Sequence, residues 1–155
     1  MKGHKKIIAT LNSLLSDELT AINQYIVHSE MCANWGYAGL HAIIEKRAID
    51  EMKHAEKHIA RILFLEGVPN VSKLHDMHIG SDVPTQLEND RKSETGAIRD
   101  YNDAIREAVE CKDNGTREML ESILKDEEAH LDWLEAQLDQ IRQMGIQNYL
   151  VEQIG

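Results

Sequence analysis

Two short stretches, Glu51-Met52-Lys53-His54 and Glu127-Glu128-Ala129-His130, each set a carboxylate three residues ahead of an imidazole. On an α-helix that spacing projects both groups from nearly one face. Two oxygens and two nitrogens converging in this way suit a transition-metal ion. A lone Glu precedes each pair at one distance: Glu18 lies 33 residues before Glu51, and Glu94 lies 33 before Glu127. The set Glu18, Glu51, His54 therefore maps onto Glu94, Glu127, His130 with a constant offset of 76. Tyr25 and Tyr101 obey the same offset, each about two helical turns after its lone Glu.

All four Glu occupy positions where an amphipathic helix carries apolar residues. Glu18 shares its stripe with Leu11, Leu14, Leu15, Ile22 and Tyr25, and Glu127 with Leu120, Ile123, Leu124, Leu131 and Leu134. Glu94 has Leu87, Ile98, Tyr101 and Ile105, while Glu51 has Ile44, Ala48, Ala55 and Ile62. A carboxylate in such a stripe is desolvated, which is costly unless it is paired or binds metal. Four of them in one small core repel one another, and divalent cations remove that repulsion.

The elements that must position these groups are helices. One is expected from about Lys5 to Asn34, stopping near Trp35-Gly36-Tyr37-Ala38-Gly39, and a second to about Leu65. Glu66-Gly67-Val68-Pro69-Asn70 ends the second, with Gly67 at a C′-type position. Residues 68–82 lack a sustained period, and some 15 extended residues span about 50 Å, enough to cross a bundle lengthwise. Asp82 is the expected N-cap of a third helix, with Pro84 in its first turn, running to about Lys112. A fourth runs from the turn Asp113-Asn114-Gly115-Thr116 to about Met144. In an antiparallel hairpin Glu18 and Glu51 stand at one depth, because they are equidistant from the 34/35 junction; Glu94 and Glu127 straddle the second turn likewise. After Gly145 a short tail helix is expected within residues 146–154, with Ile146, Leu150 and Ile154 on one side. That side must pack on something, another subunit being one option.

Composition limits the alternatives. A chain of 155 residues is expected to form a single domain over 1–155, all-α given two prolines and one Phe. A net charge of −10 argues against non-specific nucleic-acid binding and is compatible with attracting cations. No apolar run is long enough to span a membrane. The basic start, Met1-Lys2-Gly3-His4-Lys5-Lys6, lacks the apolar core of a secretory signal. Cys32 and Cys111 form no CxxC, so a reduced, cytoplasmic protein is expected.

Four helices with one long crossover, a Glu on each of two and Glu-x-x-His on each of the others, match the known ferritin-like arrangement of di-iron carboxylate bundles. Beyond these residues the chain resembles the bacterioferritins nearly end to end. The likeness includes Ala21-Ile22-Asn23-Gln24-Tyr25, Ile49-Asp50-Glu51-Met52-Lys53-His54-Ala55, Arg61-Ile62-Leu63-Phe64-Leu65-Glu66-Gly67, Asp126-Glu127-Glu128-Ala129-His130 and Met144-Gly145-Ile146-Gln147-Asn148-Tyr149-Leu150.

The resemblance implies a ferritin-like four-helix bundle with a short C-terminal fifth helix. It implies a hollow shell of 24 subunits, built from dimers, that oxidises Fe(II) with dioxygen or hydrogen peroxide and stores the ferric mineral. A ferredoxin-type reductant would release the iron. Carried over, Glu18 and His54 hold one iron of a di-iron centre, Glu94 and His130 the other, and Glu51 and Glu127 bridge them. Met52 becomes the axial ligand of a b-type haem shared between two subunits; without the resemblance it reads as an interfacial Met about 100° of helix rotation from Glu51. The family commonly has Tyr where this chain has His58, which then reads as a hydrogen-bond partner near the centre rather than a ligand. Some relatives have His where this chain has Lys46, leaving open an inner-surface iron site at Asp50. Two other readings remain. One is a non-storage di-iron oxidase or peroxidase of rubrerythrin type, disfavoured by the missing CxxC…CxxC module. The other is a DNA-protecting mini-ferritin, disfavoured by the intact six-ligand set and the lack of a basic tail.

Overall fold

Apolar residues at three- and four-residue spacing wind the chain into four long helices and one short one. A computed structural model describes all 155 residues. The elements are α1 (Lys5–Asn34), α2 (Ala38–Phe64), α3 (Val83–Glu110), α4 (Asn114–Met144) and α5 (Ile146–Val151). The most extensive packing is α1 on α2 and α3 on α4, so the bundle is two antiparallel hairpins, with α1 also lying against α3.

The starts and stops have local causes. Asp82 accepts a hydrogen bond from the Thr85 N–H, and Asp113 accepts one from Thr116, so α3 and α4 are side-chain capped. Helices α1 and α2 have no such cap. Helix α2 ends in a Schellman turn in which Glu66 N–H donates to Leu63 and Gly67 N–H to Ile62. The left-handed residue is therefore Glu66 (φ 62°), not Gly67 as expected. Gly67 is the next residue along, where a Cβ would come within 2.7 Å of Ile8. Its absent side chain serves close packing rather than backbone freedom.

The segment from Leu65 to Asp82 travels the length of the bundle beside α1, which hooks it with side chains. The Asn70 amide donates to Asn12 Oδ1, His75 to Thr20 Oγ1, His78 to Gln24 Oε1 and Gly80 to His28 Nε2. His28 in turn donates from Nδ1 to Asp90 Oδ1 of α3 at 2.9 Å, both groups buried. This ties crossover, α1 and α3 together.

The tail differs from expectation. Tyr149 is its buried residue and donates to Gln137, while Ile154 lies beyond α5 and is 60% exposed. Gly39 N–H donates to Gln153 O, so the tail docks on its own chain at the α1–α2 turn.

Apolar packing falls into two layers. One contains Ile7, Leu11, Ile62, Leu120 and Ile123; the other contains Tyr25, Cys32, Leu40, Leu87 and Leu134. Between them lies a polar layer holding Glu18, Glu51, Glu94 and Glu127, all at most 3% exposed.

Candidate metal centre

Each long helix delivers one carboxylate to the polar layer, as the stripe positions require. His54 Nδ1 lies 3.2 Å from Glu127 Oε1, 3.7 Å from Glu18 Oε2 and 3.8 Å from Glu51 Oε2. The ligand atoms of Glu18, Glu51, His54 and Glu127 all fall within 4.8 Å of one another. Glu94 and His130 form an adjoining pair, with His130 Nδ1 2.9 Å from Glu94 Oε1. All six sequence-selected residues thus share one layer, four as a tight group and two beside it.

The two lone Glu are held alike. Tyr25 donates to Glu94 Oε1 and Tyr101 to Glu18 Oε1, each at 2.5 Å. Each Tyr therefore serves the Glu of the opposite hairpin, and in each carboxylate the other oxygen, Oε2, has no partner. Glu127 Oε1 and His54 Nδ1 also lack a hydrogen bond. Buried polar atoms left this way are costly, and a bound cation satisfies them. His54 Nε2 faces Asp126 Oδ2 at 3.0 Å. A carboxylate there accepts a hydrogen bond from Nε2–H and turns the Nδ1 lone pair inward, the orientation commonly given to metal-ligating histidines. The donor set of carboxylates and imidazoles, with both cysteines free and elsewhere, suits iron better than a structural zinc.

The structure adds a residue that the motifs do not reveal. Arg47, one turn before Glu51, is 7% exposed and points into the centre. One of its nitrogens, Nη2, lies 2.5 Å from Glu51 Oε1, 2.7 Å from Glu127 Oε2 and 3.6 Å from Glu94 Oε1. Burial by itself lowers the Arg47 pKa, but the Glu51, Glu94 and Glu127 carboxylates outweigh it and raise the value, so Arg47 stays cationic.

The carboxylates divide by environment. Burial, then the neighbouring Glu18, raises Glu51 well above its ordinary value; burial, then Glu51 and Glu94, does the same to Glu127. Burial opposes ionisation of Glu94 too, but hydrogen bonds with Glu127 and His130 and the charges of His130 and Arg47 hold its pKa low. Burial alone would lower His54; its contacts with Glu127, Glu18 and Glu51 raise it instead. Without metal, the layer balances itself with protons and one guanidinium.

Beyond the ligands, His58 is fully buried, with Nε2 2.6 Å from the Tyr101 hydroxyl, so it supports Tyr101 and not the centre directly. Burial, with the charges of His54 and Lys57, lowers its pKa to about 3. On the other hairpin Trp133 stacks on His130 (14° between planes), and Tyr25 meets the same imidazole edge-on. Met52 is 43% exposed on the outside of α2, next to Ile49 at 47%. Asp50 is engaged by Lys46 Nζ at 3.2 Å.

Two openings flank the layer. A cavity of about 520 Å³ runs from the exposed crossover residues His75 and Asp76 down to Glu18, Glu51, Glu94 and Glu127. On the opposite side a groove of about 430 Å³ between α2 and α4 is lined by Arg47, Asp50, Lys53, His54, Asp126 and His130, among others.

Residues 8–144 match the Ferritin-like domain family. The chain is 42% identical to a protein named Bacterial ferritin from Paramagnetospirillum magnetotacticum, covering 100% of this chain and 96% of that one. It is 42% identical to a Bacterioferritin from Rhodobacter capsulatus (96% and 92% covered) and 39% identical to one from Mycolicibacterium paratuberculosis (96% and 94%).

Proposed function

The chain belongs to the bacterioferritin family of ferritins, and on that premise we propose that Glu18, Glu51, His54, Glu94, Glu127 and His130 together form its di-iron ferroxidase centre. Iron storage is the function of the chain, and ferroxidase, the oxidation of Fe(II) to Fe(III), is its enzymatic activity. One observation carries the residue assignment. Four of the six, Glu18, His54, Glu94 and Glu127, bury a side-chain atom with no hydrogen-bond partner, all in one layer.

Two bound ferrous ions supply one electron each to dioxygen or peroxide, and the chain sets their surroundings. Glu18 and His54 serve one position, and Glu94 and His130 the other. Glu51 and Glu127 are shared, since each lies within 4 Å of both His54 and Arg47. Tyr25 and Tyr101 fix the rotamers of the lone Glu, and Asp126 fixes the His54 ring. The apolar layers above and below exclude bulk water, so access is lateral.

The oligomer is a homo-oligomeric storage shell; 24 subunits built from dimers is the number we infer, with a b-type haem held by Met52 and its two-fold mate. The exposed thioether beside exposed Ile49 supports this, because a ligand donated across an interface must leave its own helix outward. Methionine ligation favours a raised haem potential, suited to electrons arriving from a ferredoxin-type reductant for iron release. No helix is long and apolar enough to cross a membrane, and we place the shell in the cytoplasm. Lys46 Nζ pairs with Asp50, the carboxylate that an inner-surface iron site would use, at 3.2 Å.

Sedimentation combined with iron and haem analysis tests this reading. A particle two dozen times the 17.6 kDa chain is expected, with haem at half the subunit number. Met52→Leu, nearly isosteric, should abolish the haem spectrum and leave initial Fe(II) oxidation unchanged. A monomer or dimer at all protein concentrations would reject storage in a shell, and unchanged haem would make Met52 a packing residue.

A further inference from the structure

Arg47 stands among the carboxylates of the ferroxidase centre, and nothing equivalent exists across the bundle. The residue at the offset of 76 is Ile123, a buried member of the apolar core. The single Nη2 atom of Arg47 reaches Glu51, Glu127 and Glu94, three of the four carboxylates. Glu18, at the His54 end, has no such contact. Glu18 and His54 therefore have no guanidinium against them, whereas Glu51, Glu127 and Glu94 do.

We propose that Arg47 is a built-in counter-ion occupying the Glu94/His130 half of the centre, and that it must swing out before a second metal ion can bind there. The inference rests on the six-residue centre proposed above. A guanidinium and a divalent ion cannot both lie against Glu51, Glu94 and Glu127, because like charges at such separations repel strongly in a low-dielectric interior. The groove between α2 and α4 gives the side chain a destination. Asp126 and Asp50 line it, the latter paired with Lys46, and Lys53 and Lys57 stand at the same groove. A rotation of the flexible stem moves the charge from the layer toward Asp126 without disturbing α2. The Nε of Arg47 has no hydrogen-bond partner in the inward position, so leaving it sacrifices no bond at that atom.

The consequence is ordered loading. The first ion enters on the Glu18 and His54 side, which Arg47 does not touch. The second has its apparent affinity reduced by the fraction of molecules in which Arg47 is already out, about tenfold if that fraction is one in ten. Arg47 is a positioning residue in this scheme: it acts on the ligands and never on the reacting oxygen species.

Cobalt(II), which reports its coordination through visible absorption, tests the idea on the assembled, metal-free protein. Calorimetric and spectral titration of the parent should show two steps per subunit separated by about tenfold or more. Arg47→Gln should bring the second step within about threefold of the first. Arg47→Lys, which keeps the charge, should preserve the separation, and His130→Ala should delete only the second step. Two equal steps in the parent, or an unaltered second step in Arg47→Gln, would overturn the role of Arg47. The parent titration stands alone should Arg47→Gln fail to assemble. If neither parent nor Arg47→Gln takes up a second ion, the six-residue centre itself is wrong.

Discussion

Hairpin α1–α2 and hairpin α3–α4 present the same ligands at the same depth, yet what stands behind those ligands differs. At the common offset Arg47 corresponds to Ile123, and His58 to Leu134. Tyr25 and Tyr101 keep the symmetry, each bonded to the opposite lone Glu. A repeated ligand motif therefore specifies where metal can sit, whereas the unrepeated neighbours decide how each half behaves before metal arrives. Charge balance at one end comes from a guanidinium, and an imidazole buried neutral supports one tyrosine only.

The harshest way to break the comparison is to remove one ligand from each half. Since loss of a residue merely supporting a metal ligand costs about 10- to 100-fold, His54→Ala and His130→Ala should each lower initial Fe(II) oxidation by roughly 100-fold or more. Stopped-flow absorbance would measure this, with circular dichroism showing an intact helical fold. Parent rates in both variants would dissolve the centre; a loss in only one would mean that the halves do not share the chemistry.

A gentler change gives hairpin α1–α2 the residue its partner already has. His58 has a folded pKa lowered to about 3 from an ordinary 6.5. Below pH 6.5 the unfolded chain takes up a proton that the folded chain refuses, so folded stability falls as pH falls. The slope approaches about 1.4 kcal/mol per pH unit for one proton. His58→Leu should remove that part of the slope between pH 6.5 and pH 5, measured by denaturant unfolding at both ends of the range. An identical pH dependence in the variant would show that His58 is charged, or solvated, in the folded protein.

The smallest effect sharpens the comparison at the helix ends. Asp82→Ala removes a simple N-cap and should cost about 1 kcal/mol. Asp113→Ala should cost more, because Asp113 also accepts from Arg61 Nη2 at 2.8 Å. Equal midpoints in urea for the two variants would deny the Arg61 contact any role. Hairpin α1–α2 offers no matching experiment, since neither of its helices has a side-chain cap.

Much of the centre is legible in the order of residues. Spacing fixes the face, equal distance from a turn fixes the depth, and together they put the six proposed ligands in one layer. The expected helix limits agree with the observed elements to within about two residues except where the tail ends. Arg47 is legible only in part: it occupies the position four before Glu51, on the very stripe that elsewhere holds Leu14 and Ile123. A long side chain on a stripe commonly reaches out to solvent, and only the packed neighbours decide that this one turns inward. Asp90, four before Glu94, is the parallel case, buried by its bond to a His 62 residues away. Such pairing has no local signature. His54 lies nearer to Glu127 than to Glu51, its own motif partner, for the same reason. In the tail Ile146 and Leu150 pack on the core as their period requires, whereas Ile154 stays exposed and Tyr149 is buried with its hydroxyl on Gln137.

The crossover reads α1 as a ruler. Its four backbone anchors, from Asn70 to Gly80, fall in the same order as their side-chain partners from Asn12 to His28. Sixteen helical residues advance about 24 Å, while ten residues of extended chain reach at most about 36 Å. The slack is taken up in bends between the hooks, so the chain's length is not what sets its path. What sets it is the order of the hooks, which pin the chain to α1 at four points on the way to Asp90. A connection with almost no secondary structure is thereby held to a register as strict as that of a strand in a sheet.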